Sequence, residues 1–163
     1  MIMRKGSPAW YRATAAAILR DQRYCTLATT DGKRPWAAPL FFAAAPGKLY
    51  FISPIASRHA RDLAGNPRVA VAIFDSAQQE GAGTGLQIEG SCALVPAKDM
   101  QAALACISAK RVSLGKDPLP PGLPLHGEQR LFCVAIEHVY MPDEAAWARE
   151  KIDRRVEVKV YTK

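Results

Sequence analysis

Three short apolar runs punctuated by two turn signals constrain this chain most. Tyr24–Thr30 is followed by Asp31-Gly32, Trp36–Ala44 by Pro46-Gly47, and Leu49–Ser53 by a polar break. Gly and Pro supply the backbone angles a reversal needs, and the flanking residues favour extended chain, so the spacing predicts strands joined as an antiparallel meander. Val69–Phe74 is almost continuously apolar, the pattern of a strand covered on both faces, and Leu86–Val95 and Leu131–Val139 add two more strands. Near the end, Val156, Val158 and Val160 alternate with Arg155, Glu157, Lys159 and Tyr161, which reads as a half-buried last strand.

Helical signals are fewer. Ser7-Pro8 opens a helix expected to reach Asp21, Ser57–Gly65 forms a short helix stopped by Gly65 and Pro67, and Asp99 begins a third. In that third helix Met100, Ala103, Leu104 and Ile107 recur on one face, expected to cover a barrel mouth. Ser113–Gly127 holds four prolines and three glycines and is expected to be irregular. About seven strands with three helices predict a mainly β fold. It would be a closed or nearly closed antiparallel barrel with peripheral helices, a single domain over residues 1–163.

Composition narrows the function classes. The formal charge of +7 suits nucleic acid, acidic lipid or an anionic cofactor, so the arrangement of the cations has to decide. The basic stretch from Lys151 to Lys163 alternates with valines, the pattern of a solvated strand face, and no nucleic-acid partner is expected. The apolar stretch Ala13–Leu19 is too short for a bilayer and lies between Arg12 and Arg20. Trp10, Tyr11 and Arg12 interrupt any signal-peptide core, so the expected location is cytoplasmic, without a membrane partner. Cys25, Cys92, Cys106 and Cys133 are widely spaced in apolar sequence and are expected as buried free thiols. No metal site is expected, since His126 and His138 have no ligand partner at a recognisable spacing. Residues 81–85 resemble a phosphate loop but lack its Lys-Ser/Thr and lead into a strand, so a hairpin is expected there.

The chemistry concentrates in Ser57-Arg58-His59-Ala60-Arg61, between a strand and the next strand. A helix start offers free amides and partial positive charge, and here a hydroxyl, a guanidinium and an imidazole join them, a set suited to phosphate. Taken alone, the same residues also suit a capped surface helix with solvated cations. Ser57 with His59 is no hydrolase pair, because no Gly-x-Ser-x-Gly elbow and no placed acid accompany them.

The segments LATTDGKRPWAAPLFF, LYFISP, SRHARDLAGNPRVAVAIF and GLQIEGSCALV, in that order, resemble the pyridoxamine 5'-phosphate oxidase-like, FMN-binding split-barrel family. The resemblance implies a Greek-key-like split barrel, bound FMN and a homodimer whose flavin sites are shared between subunits. Ser57 and His59 match the family's Ser-x-Lys phosphate pair, with His59 in place of lysine, so Arg58 is expected to supply the fixed charge. By the same matching, Ala38, Pro39 and Leu40 lie along the flavin edge, Ile52 and Ser53 near the ribityl chain, and Gln87 reaches the cofactor. Gln87 equally suits the outer face of its strand. Tyr140, Trp147 and Arg149 are candidates, placed by no motif, for completing the partner subunit's site.

The activity implied is that of a flavin-dependent oxidoreductase acting on a small substrate or a reduced nicotinamide. The alternative is a non-catalytic flavin, deazaflavin or haem storage or binding protein. The Arg-x-His and closing Arg-Leu-x-Pro elements of the vitamin B6 oxidases are absent, so that reaction is not expected.

Overall fold

The computed structural model describes residues 3–80, 84–120, 125 and 127–161. Residues 81–83 of the glycine-rich loop and His126 lie outside the described residues. Ser7 caps the first helix, α1 (Pro8–Asp21), accepting the Trp10 amide at 3.2 Å, and Tyr11, Ala15 and Leu19 face the core at helical spacing. Strands β1 (Tyr24–Thr30) and β2 (Pro35–Phe41) pair antiparallel from Tyr24↔Phe41 to Thr30↔Pro35.

The run expected as one strand from Trp36 to Ala44 is divided at Phe42, which is fully buried and donates its amide to the Arg23 carbonyl at 3.3 Å. Strand β3 (Ala43–Ala45) then turns back through Gly47, at φ +71°, into β4 (Lys48–Pro54). After α2 (Arg58–Gly65) come β5 (Arg68–Phe74), β6 (Gly85–Leu94), α3 (Met100–Ser113), β7 (Gln129–Pro142), α4 (Glu144–Glu150) and β8 (Arg155–Glu157). The sheet order is β2-β1-β5-β6-β7-β4-β3, with β8 paired to β7. Its two ends are the halves of one segment, so the sheet closes on itself through the bend at Phe42. This is an antiparallel split barrel.

Alternation sorts the side chains. Leu27, Val71, Ile73, Leu86, Ile88, Phe51 and Phe132 point inward and form the barrel core with the α1 face. Tyr50 and Leu131, on the opposite side of β4 and β7, pack with Ala103 and Ile107 of α3. Helix α3 therefore covers the outer wall at β3 and β4, where the sequence predicted it over a barrel mouth. A Cβ on Gly90 would stand 2.2 Å from the Ala135 carbonyl oxygen, beside the β6–β7 register shift at Glu89/Gly90. The last strand is shorter than expected, yet Val156 and Val160 are half-buried and Val158 buried while Glu157 and Lys159 are exposed.

All four cysteines are free, Cys25 and Cys92 buried and Cys106 and Cys133 half-buried; burial pushes the Cys25 and Cys92 thiols up to about 12. No helix among the described residues is long and apolar enough to cross a membrane.

Candidate functional site

Strand β4 delivers Ser53 with its side chain buried, and the chain then turns into α2. Ser57 adopts extended backbone and its Oγ accepts the Ala60 amide at 3.3 Å, which makes it the N-cap. His59, in the first turn, is buried against the edge of Phe51 and places Nε2 2.7 Å from Ser53 Oγ and 3.0 Å from Ser57 Oγ. One ring nitrogen carries either one hydrogen or one lone pair. In either tautomer at least one serine hydroxyl proton is left to donate elsewhere.

Arg58 stands at the same helix start. Its guanidinium lies 4.6 Å over the Trp36 ring, and its Nη2 is buried without a hydrogen-bond partner. A buried donor left unpaired costs about 1–3 kcal/mol, so this nitrogen marks a place prepared for an acceptor. The Arg61 guanidinium is occupied by the Ala56 carbonyl, to which it donates at 2.5 Å. One turn into α2, the buried Asp62 accepts a hydrogen bond from Thr29 Oγ1 at 2.8 Å, which ties the helix to β1. Burial holds the His59 imidazole below its ordinary value, and the Asp62 carboxylate partly offsets this. Free helix amides, spare hydroxyl protons and an unpaired guanidinium form a donor set that fits a phosphate.

The outer sheet face carries a second group of the residues singled out by sequence. Pairing aligns Pro39, Thr26, Ala72, Gln87, Tyr140 and Glu157 in one row across six strands. The next row is Ala37, Ala28, Ala70, Glu89 and His138. Small side chains in both rows leave a shallow groove of about 490 Å³ whose polar side chains include Gln87, Glu89, Tyr140 and Arg155. His138 Nδ1 lies 3.0 Å from Glu157 Oε1.

The residues singled out by sequence fall into three places. Ser53, Ser57, Arg58 and His59 gather at the α2 start, and Pro39 and Gln87 share the outer row. Ala38 is buried on the opposite side of β2, and Leu40 packs partly against the core. Ile52 alternates away from Ser53 into a separate cavity with Tyr24 and Phe41, under Ile107. Tyr140 lines the outer groove; Trp147 and Arg149 stand on α4, with Trp147 exposed beside Lys151. Among the described residues no three His, Cys, Asp or Glu side chains are grouped to hold a metal ion.

Sequence reasoning passed over Trp36, the Thr29–Asp62 pair and Arg155. For Trp36 a signal existed: it shares the Ala38 side of β2 by simple alternation.

The sequence profile described as pyridoxamine 5'-phosphate oxidase matches residues 12–142. Among curated proteins none matches. The fold is similar to that of a haem-binding protein from Mycobacterium smegmatis, with TM-score 0.70 and 19% identity. That match covers 96% of this chain and only 59% of the mycobacterial one. An FAD-binding protein from Mesorhizobium loti is similar at TM-score 0.58 and 22% identity, covering 78% of this chain and 90% of the other. The haem storage protein HutZ from Vibrio cholerae is similar at TM-score 0.63 and 20% identity, covering 77% and 89% of the two chains. Identities this low carry the fold alone, but the profile spans most of the barrel, and together with the Ser57–Gly65 element and the split-barrel closure it establishes that the chain belongs to the pyridoxamine 5'-phosphate oxidase family.

Proposed function

We propose that this protein binds FMN, its phosphate held at the start of α2 and its ring on the outer sheet face, and that it serves as a flavin-dependent oxidoreductase. The observation that carries this reading is the buried, unpaired Nη2 of Arg58 beside the Ser57 cap. A phosphate there would accept from Arg58, from a serine hydroxyl and from first-turn amides, satisfying the one buried side-chain donor left without a partner among the described residues.

FMN supplies the hydride chemistry when bound. The chain's own part is to bind, orient and exclude water, which agrees with a donor set at the α2 start and an alanine floor in the outer groove. A homodimer completes the proposal: the flat rows of small residues at Ala28, Ala37, Ala70 and Ala72 suit a second copy laid over the ring. The substrate is a small molecule or a reduced nicotinamide, and the cytoplasm is the proposed location.

A second reading, haem binding without turnover, is favoured by one feature. Glu157 against His138 Nδ1 leaves Nε2 of that exposed imidazole as a potential iron ligand on the same outer face. The visible spectrum of the purified protein, followed by chromatography of what it releases, separates the two. A flavin spectrum with released FMN supports the proposal, and a haem Soret band that disappears in His138→Ala favours the second reading. Light scattering tests the dimer, and a monomer in the presence of FMN contradicts a shared site.

A further inference from the structure

We infer that Arg155 is a positioning residue that locks the Gln87 amide, so that the outer groove presents hydrogen-bond donors and selects a neutral planar ring with carbonyl acceptors on its edge. The inference rests on the flavin reading above and extends it to how the ring is recognised.

Gln87 is exposed on β6, where a strand glutamine would ordinarily sample both amide orientations. Arg155 reaches it from β8, 68 residues away in sequence, placing Nε 2.5 Å from Gln87 Oε1. The guanidinium is held in turn by the Asp153 carboxylate and by its neighbour's carbonyl, Arg154 O, at 3.2 Å. A guanidinium only donates, so the atom facing it has to be the amide oxygen. Gln87 Nε2 is thereby turned away from Arg155 as a pair of N–H donors with no partner among the described residues.

Charge sets the ligand class. Asp153 offsets the positive charge of Arg155, and Glu89, in the adjoining row, adds a carboxylate to the groove lining. An anion gains little here, in contrast to the α2 start. The floor at Ala28, Ala70 and Ala72 projects only methyl side chains, which leaves room for a ring to lie against it. A neutral heterocycle edged with carbonyl oxygens, such as the pyrimidinedione end of a flavin, fits both the floor and the donors.

The test is a double-mutant cycle read by binding and by spectrum. Riboflavin and FMN are titrated against the wild-type protein, Arg155→Met, Gln87→Leu and the double variant, with inorganic phosphate as a competitor of FMN. If Arg155 acts through Gln87, Arg155→Met weakens riboflavin binding by about 2- to 12-fold, the range of one hydrogen bond, and alters the visible bands of the bound flavin. It costs nothing further in the Gln87→Leu background and leaves phosphate competition unchanged. Arg155→Lys, which also only donates, restores much of the affinity. Additive losses, or no loss in Arg155→Met, overturn the inference while leaving the flavin reading intact. A wild-type protein that binds phosphate but neither flavin overturns both.

Discussion

Replacing Arg58 by methionine separates a residue kept for a ligand from one kept for the fold. Its Nη2 is buried and has no partner within the protein, an arrangement that costs about 1–3 kcal/mol. Its guanidinium over Trp36 returns about 0.5–2 kcal/mol. Methionine keeps an apolar stem over the indole and removes the orphaned donor, so the two terms nearly cancel. Arg58→Met should therefore melt within a few degrees of the wild type. Binding behaves differently, because a hydrogen bond to a charged group contributes about 1.5–3 kcal/mol, which is about 12- to 160-fold in affinity for a phosphate. Thermal denaturation without ligand and calorimetric titration with FMN read the two quantities. A variant that loses several degrees of stability yet binds FMN as tightly as the wild type would refute this assignment of Arg58.

Phosphate favours the charged His59 imidazole, which burial holds below about 6.5 in the free protein, so a proton is taken up with the ligand. Affinity should be highest in acid and fall by up to about tenfold per pH unit between the free and bound values, a slope that His59→Lys and His59→Gln abolish, and identical profiles in all three proteins would remove His59 from the site. Without ligand the sign reverses: unfolded His59 binds its proton more readily than folded His59, so its contribution to stability is present above about pH 6.5 and is lost on acidification through the lower folded value, as pH-dependent melts will show. Thr29→Val leaves the buried Asp62 carboxylate without its hydroxyl donor and should cost about 1–3 kcal/mol in denaturant unfolding, whereas an unchanged midpoint would mean that this bond does not anchor α2.

Local patterns made much of the fold legible. The Asp31-Gly32 and Pro46-Gly47 turns, the Ser7 and Ser57 caps and the valine alternation at the end each act within a few residues, where sequence and physics coincide. The break at Phe42 was not legible, since an unbroken apolar run looks the same whether the strand continues or bends at a barrel corner. Helix α4 escaped because seven residues are too few to display a period, although Asp143 accepts the Ala145 and Ala146 amides as an N-cap should. At the site, the helix start was readable from Ser57-Arg58-His59 alone. The Arg155 clamp on Gln87 was not, because it depends on strands brought together by the barrel, and for Trp36 alternation gave its side of β2 but not its contact with Arg58. Side-chain alternation also separates Ile52 from Ser53, adjacent residues grouped by the family resemblance: Ile52 lines a cavity with Tyr24 and Phe41, while Ser53 is buried against His59.

Paired titrations of the apoprotein with FMN and with riboflavin test most directly whether the start of α2 is a phosphate site. The two ligands share the ring and differ in the phosphate, so the account predicts FMN binding at least about tenfold tighter, consistent with one charge-assisted hydrogen bond or more, and an advantage that inorganic phosphate erodes. Equal affinities for FMN and riboflavin, unaffected by phosphate, would contradict it.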